Sequence, residues 1–100
     1  MSKSAITIDP IHPGEILLEE FLKPLGMSAN KLAQHIEVPT NRVTSIINGQ
    51  RGITGDTALR FSKAFGTTAE FWINLQGHYE LENAKLNSSV RFGRLREYAA

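Results

Sequence analysis

Cysteine is missing from all 100 residues, which removes disulfide staples, thiol nucleophiles and thiolate metal sites from consideration. Apolar runs such as Ile16-Leu17-Leu18 and Phe71-Trp72-Ile73 fall far short of a membrane span. No charged-apolar-small leader opens the chain, so a soluble, cytoplasmic protein without a membrane partner is expected. There is no glycine-rich phosphate loop, because Gly49 and Gly52 bracket a turn and follow no strand. The three histidines, His12, His35 and His78, lie on separate segments without metal-ligand spacing. Glu19 and Glu20 are neighbours on a helix and do not face each other, so they make no acid/base dyad. Ser88-Ser89 has no base nearby in any motif. Catalysis, a metal, a cofactor and a small-molecule substrate therefore have no residues to attach to.

Charge of one sign is also scarce overall, at +1, but it is unevenly spread. Residues 28–66 carry Lys31, Arg42, Arg51, Arg60 and Lys63 against Glu37 and Asp56, a net +3. The stretches before and after, 1–27 and 67–87, are each −2, and the tail 88–100 is +2. A basic centre between acidic flanks is the electrostatic footprint of a phosphate-binding surface. With 41% hydrophobic and 21% charged residues, the chain has the composition of one globular domain.

Helix punctuation divides the sequence into five helical segments, an all-α reading. Pro13 opens the first, which carries an apolar stripe of Leu17, Phe21 and Leu25 beside Leu18 and Leu22 and is ended by Pro24 and Gly26. Ser28 is a natural N-cap for a short second helix with Ala29, Leu32, Ala33 and Ile36 inward. Pro39-Thr40 opens a third, with Val43, Ile46 and Ile47 inward, and Asn48-Gly49 closes it. Thr54 caps a fourth, which buries some of Ala58, Leu59, Phe61 and Phe65 and stops at Gly66. Thr67-Thr68-Ala69-Glu70 fits a capping box for a longer fifth helix reaching towards Leu86. Residues 1–11, with Ile6, Ile8 and Ile11 interrupted by Pro10, read as an extended arm. Residues 12–86 form the domain, and 87–100 a basic C-terminal tail.

Residues 29–48 have the pattern of a helix-turn-helix. Ala33 is small where two short helices must cross, and Leu32, Ile36, Val38, Val43 and Ile46 sit where the pair meets the rest of the domain. In this motif the second helix enters the major groove and its first residues reach base edges. Thr40, Asn41, Arg42 and Ser45 are the base-reading candidates, with Arg42 suited to the two acceptors of guanine. Ser28, Asn30, Lys31, Thr44 and Arg51 are the phosphate-binding candidates. On the fifth helix, Phe71, Trp72, Ile73, Gly77 and Leu81 spread apolar character over more than one face, which calls for a second copy of the chain. Gly77 suggests a close backbone approach there.

Met27-Ser28 to Asn48-Gly49 resembles the helix-turn-helix of phage-repressor-like regulators, with Glu37 where the turn often holds glycine. A turn built differently is expected there, since a left-handed non-glycine residue costs roughly 1–2 kcal/mol. His12-Pro13-Gly14-Glu15-Ile16-Leu17, Glu70-Phe71-Trp72-Ile73-Asn74-Leu75-Gln76 and Tyr79-Glu80-Leu81 are similar to the signatures of HigA-type antitoxins. The resemblance covers roughly residues 11–83. It implies a five-helix phage-repressor-like bundle with a longer C-terminal dimerisation helix, working beside the nucleoid. It further implies a homodimer that represses its own operon by binding double-stranded operator DNA and neutralises a HigB-like, RelE-fold toxin that cleaves mRNA. The same resemblance admits stand-alone regulators without a toxin. A toxin of that kind is basic, so Asp9, Glu15, Glu19 and Glu20 are the toxin-binding candidates.

Overall fold

Five helices and no strand make up residues 9–99, the part of the chain that the computed structural model describes, apart from the side chains of residues 88–91. Helix α1 covers residues 13–25 and is α-helical at Pro13–Ile16, π-helical at Leu17–Leu22 and α-helical again at Lys23–Leu25. It is followed by α2 (Ala29–His35), α3 (Thr40–Ile47), α4 (Gly55–Phe65) and α5 (Ala69–Phe92). No helix among the described residues is long and apolar enough to cross a membrane.

The π stretch revises the expected stripe of α1. A wider turn closes hydrogen bonds from i to i+5, as from the Lys23 amide to the Leu18 carbonyl. The fully buried pair is accordingly Leu17 and Leu22, five apart, while Phe21 is half-buried and Leu25 is exposed. Pro24 does not end the helix. It sits in the last turn, where the widened ladder tolerates a residue without an N–H, and left-handed Gly26 ends it. At the other terminus the expected capping box shifts by one residue. Thr68 caps α5 by accepting from the Phe71 amide, and Thr67 instead accepts from the indole N–H of Trp72 at 2.8 Å. Helix α5 also runs on to Phe92, past the boundary expected at residue 86.

The core lies between α1, α2, α3, α4 and the first turns of α5. Leu32, Ala33, Val43, Ile46, Ala58, Phe61 and Trp72 are essentially sealed from water, whereas Leu59 faces out. Trp72 is enclosed by Phe21 and Phe61 at ring-centroid distances of 5.1 and 5.0 Å. Removing large side chains of this kind from water contributes roughly 1.5–3 kcal/mol each. Backbone meets backbone where α1 starts: a Cβ on Gly14 would overlap the Ile46 carbonyl oxygen. Only glycine lets α1 seat against the end of α3 there.

The helices of the motif end alike. After α2, the Val38 amide bonds the Ala33 carbonyl and the Glu37 amide bonds that of Gln34; after α3, Gln50 bonds Ser45 and Gly49 bonds Ile46. Both are six-to-one and five-to-two closures around one left-handed residue. Gly49 supplies it in one case, and Glu37, at φ 62°, in the other. The turn is thus not built differently to avoid strain; it accepts the strain. Glu37→Gly is expected to raise stability by about 1 kcal/mol, read as a higher urea midpoint with an unchanged slope. No gain would mean that Glu37 pays nothing for its left-handed backbone.

His12 caps α1, its Nδ1 accepting from the Gly14 amide at 2.9 Å, and its ring stands edge-on to Tyr79 of α5 at 4.8 Å. Partial burial holds its pKa below the ordinary 6.5, against an opposing hydrogen bond to the Arg51 backbone. The unfolded chain therefore binds this proton more readily than the folded one. Stability present above pH 6.5 should be lost as pH falls towards the lowered folded value. His12→Asn, which keeps a capping acceptor, should flatten the loss of urea midpoint as pH falls below neutral. An equally steep loss in that variant would assign the pH dependence to other groups.

Candidate nucleic-acid interface

Helices α2 and α3 begin side by side. Ser28 caps α2 by accepting from the Lys31 amide at 3.0 Å, as its position before an apolar-periodic run suggests. The Thr40 hydroxyl donates to the Asn30 side-chain carbonyl at 2.8 Å, which ties the first residue of α3 to the first turn of α2. That bond uses the Asn30 oxygen and leaves its amide nitrogen as a donor. Ser28, Asn30, Lys31, Thr40 and Asn41 are exposed around this edge, and Arg51 is exposed beyond the other end of α3. Arg42, Thr44 and Ser45 are half-buried. Thr44 bonds back to the Thr40 carbonyl at 3.4 Å, and Ser45 turns its backbone carbonyl to the amides of Gln50 and Arg51.

Arg42 is also not a solitary cation. Its Nη1 lies 2.6 Å from Asp56 Oδ2 in the first turn of α4, and Arg60 Nε lies 2.9 Å from the same oxygen. Arg60 in turn donates through Nη1 to the Ile36 carbonyl, at 2.7 Å, in the turn after α2. The Arg60 hydrogen bond first, then that of Arg42, holds the Asp56 carboxyl below the usual range, so it stays ionised. Two guanidinium groups on one carboxylate leave the cluster net positive. Sequence reading placed Asp56 and Arg60 only in the charge count. Their i,i+4 spacing on α4 was legible, but their link to Arg42 is tertiary and leaves no local pattern.

The loop carrying Arg51 is held from behind. Gln76 of α5, 9% exposed, accepts from the Ile53 amide at 2.8 Å and donates to Glu80 at 2.8 Å. Gly52 packs so closely on the Gln76 amide that a Cβ there would lie 2.7 Å from Nε2. With Gly14 of α1 packed on the Ile46 carbonyl, the exit of α3 is fixed to both α1 and α5. A polar residue beside Trp72 on an otherwise apolar inner stripe was the only signal for Gln76.

Of the residues assigned to dimer contact, Ile73, Gly77 and Leu81 lie on the outer side of α5, and Phe71 is 37% exposed. Trp72 is the exception. At 0% exposed, with its indole N–H satisfied by Thr67, it belongs to the core and reaches no partner. Among the described residues, nothing beyond the helix's own backbone lies within 4 Å of a Cβ built on Gly77, so the close approach suspected there is not made by them. The acidic candidates Asp9, Glu15, Glu19 and Glu20 are exposed, and Glu19 pairs with Lys23 at 2.8 Å. Asp9, Pro10 and Ile11 line a groove with His78, Glu82 and Leu86 of α5, while Ile6 and Ile8 lie outside the described residues.

Residues 18–72 match the helix-turn-helix family. Virulence-associated protein I of Dichelobacter nodosus is 52% identical over 75 residues, 75% of this chain and 69% of its own length. The structure of an addiction-module antidote protein of the HigA family from Coxiella burnetii is 53% identical, with a TM-score of 0.85 over 91% of this chain and 100% of its own. That of Pseudomonas aeruginosa antitoxin HigA with the higBA promoter is 40% identical, again with a TM-score of 0.85, over 91% and 99%. With the helix order, the paired starts of α2 and α3 and these likenesses in hand, the chain belongs to the HigA-type antitoxins of the phage-repressor-like helix-turn-helix family, a DNA-binding and non-enzymatic fold.

Proposed function

We propose that this chain is a dimeric repressor that binds operator DNA through α3 and also neutralises a HigB-like toxin of RelE fold. The observation that carries the DNA reading is the shared edge of α2 and α3. There Asn30, Lys31, Thr40 and Asn41 are exposed beside the net-positive Arg42 cluster, and Arg51 is exposed past the far end of α3. The Pseudomonas relative, solved with its promoter, supports the same role for the same fold. Thr40, Asn41, Arg42 and Ser45 read base edges in this account. Ser28, Asn30, Lys31, Thr44 and Arg51 hold phosphates and set the register. Fluorescence anisotropy on a duplex from upstream of the gene and on a random duplex tests it. Arg42→Ala and Ser45→Ala should each weaken the upstream duplex by about 1–3 kcal/mol and relax specificity. Arg51→Ala should weaken both duplexes alike and lower the salt slope by about 1. Parental binding of both duplexes by Arg42→Ala would contradict the placement of the reading helix.

The dimer and the toxin draw on different faces in this reading. Ile73, Gly77 and Leu81 point away from the core, and a second copy would supply the two-fold symmetry that paired half-sites require. Light scattering should report a dimer at tens of micromolar and a shift towards monomer for Gly77→Leu, whose Cβ has open space among the described residues. A monomeric parent at that concentration would contradict the dimer. An RNA-cleaving toxin is basic, which matches the exposed Glu15, Glu19 and Glu20 of α1 and the exposed Asp9 before it. Glu19→Lys combined with Glu20→Lys should keep DNA binding and lose the rescue of cells expressing the neighbouring toxin. Full rescue would move the toxin surface elsewhere, with residues 91–98 the next to test.

A further inference from the structure

The cluster joining Arg42, Asp56 and Arg60 has more structure than a surface ion pair needs. Arg60 is doubly anchored, to Asp56 and to the Ile36 carbonyl, so it holds the carboxylate in place from the turn of the motif. Asp56 is 56% exposed at its side chain, yet the same oxygen takes Nη1 of Arg42, whose own side chain is only 28% exposed. One nitrogen of Arg42 is thus committed. A guanidinium has five N–H donors in one rigid plane, so an edge is left to meet two acceptors on a base while Asp56 is still held. The same tether counts against a swing to a phosphate, which an untethered arginine at the start of α3 would reach on any duplex.

We propose that Asp56 is a specificity-determining residue: anchored by Arg60, it holds the Arg42 guanidinium in its base-reading orientation and denies it to the phosphate backbone. Asp56 touches no base itself; it is a positioning residue acting through Arg42. This rests on the operator-binding reading above and names the device that makes the reading selective.

Asp56→Asn keeps the size of the side chain and removes the charge that fixes Arg42. In that variant the upstream duplex should bind more weakly and the random duplex more tightly. The ratio of the two affinities should fall about fivefold to tenfold, the scale of ordering one rotamer-rich side chain. The salt slope on random DNA should steepen by about 0.9, the signature of one added phosphate contact. Loss of one acidic charge would by itself raise affinity for both duplexes, so the comparison is completed in an Arg42→Ala background. There Asp56→Asn should change both affinities equally and leave the ratio alone. Asp56→Ser, suited to a first helical turn, repeats the measurement without an amide, and circular dichroism confirms that each variant is folded. A parental protein with no preference for the upstream duplex would overturn the operator reading, and this inference with it. A parental preference that survives Asp56→Asn undiminished would overturn this inference alone.

Discussion

The recognition helix depends on a contact between two backbones. Helix α1 begins at the end of α3, where Gly14 lies so close to the Ile46 carbonyl that no side chain fits. His12, two residues earlier, caps α1, lies beside Gly49 and stands against Tyr79. From the other side, Gln76 takes the Ile53 amide. The exit of α3 is therefore fixed between α1 and α5, while its entry is tied to α2 through Thr40 and Asn30. A short helix of eight residues has little stability of its own, and these attachments supply the rigidity that reading a base edge demands.

Electrostatics then sets what that rigid edge can do. Lys31 and Arg51 stand exposed near both ends of the motif, and Arg42 and Arg60 share one carboxylate between them. A cation held by an ionised partner interacts with its surroundings differently from a mobile one. The orientation of Arg42 thus depends on α4, an element outside the helix-turn-helix proper. The acidic residues of α1 and the exposed apolar residues of α5 lie on other elements than these cations.

Much of this was legible in the sequence because it follows from local chemistry. Ser28, Thr54, Gly26, Gly49 and Gly66 each stand where a helix must begin or end, and the structure uses all five that way. Ala33 and the Leu32, Val43 and Ile46 stripe were readable from spacing alone. What escaped was tertiary or depended on a non-standard period. The π turn of α1 changes which leucines pair, and a 3.6-residue template cannot show it. Trp72, assigned from sequence to the dimer contact, belongs to the core, where Thr67 of the preceding turn satisfies its indole N–H. Glu37 keeps a left-handed turn that residue preference argues against, because the two closing hydrogen bonds and the burial of Ile36 outweigh roughly 1 kcal/mol of strain. The partners of Arg42 come from a helix fourteen residues further on, beyond any local pattern.

The central claim is that the shared edge of α2 and α3 meets DNA, and a backbone-amide NMR titration with the upstream duplex tests it most directly. The account predicts that the amides of Asn30, Lys31, Thr40 to Ser45 and Arg51 shift or broaden on adding duplex, while those around Glu15 to Glu20 stay in place. Perturbations confined to α1 or to the outer side of α5, with α3 unmoved, would contradict it.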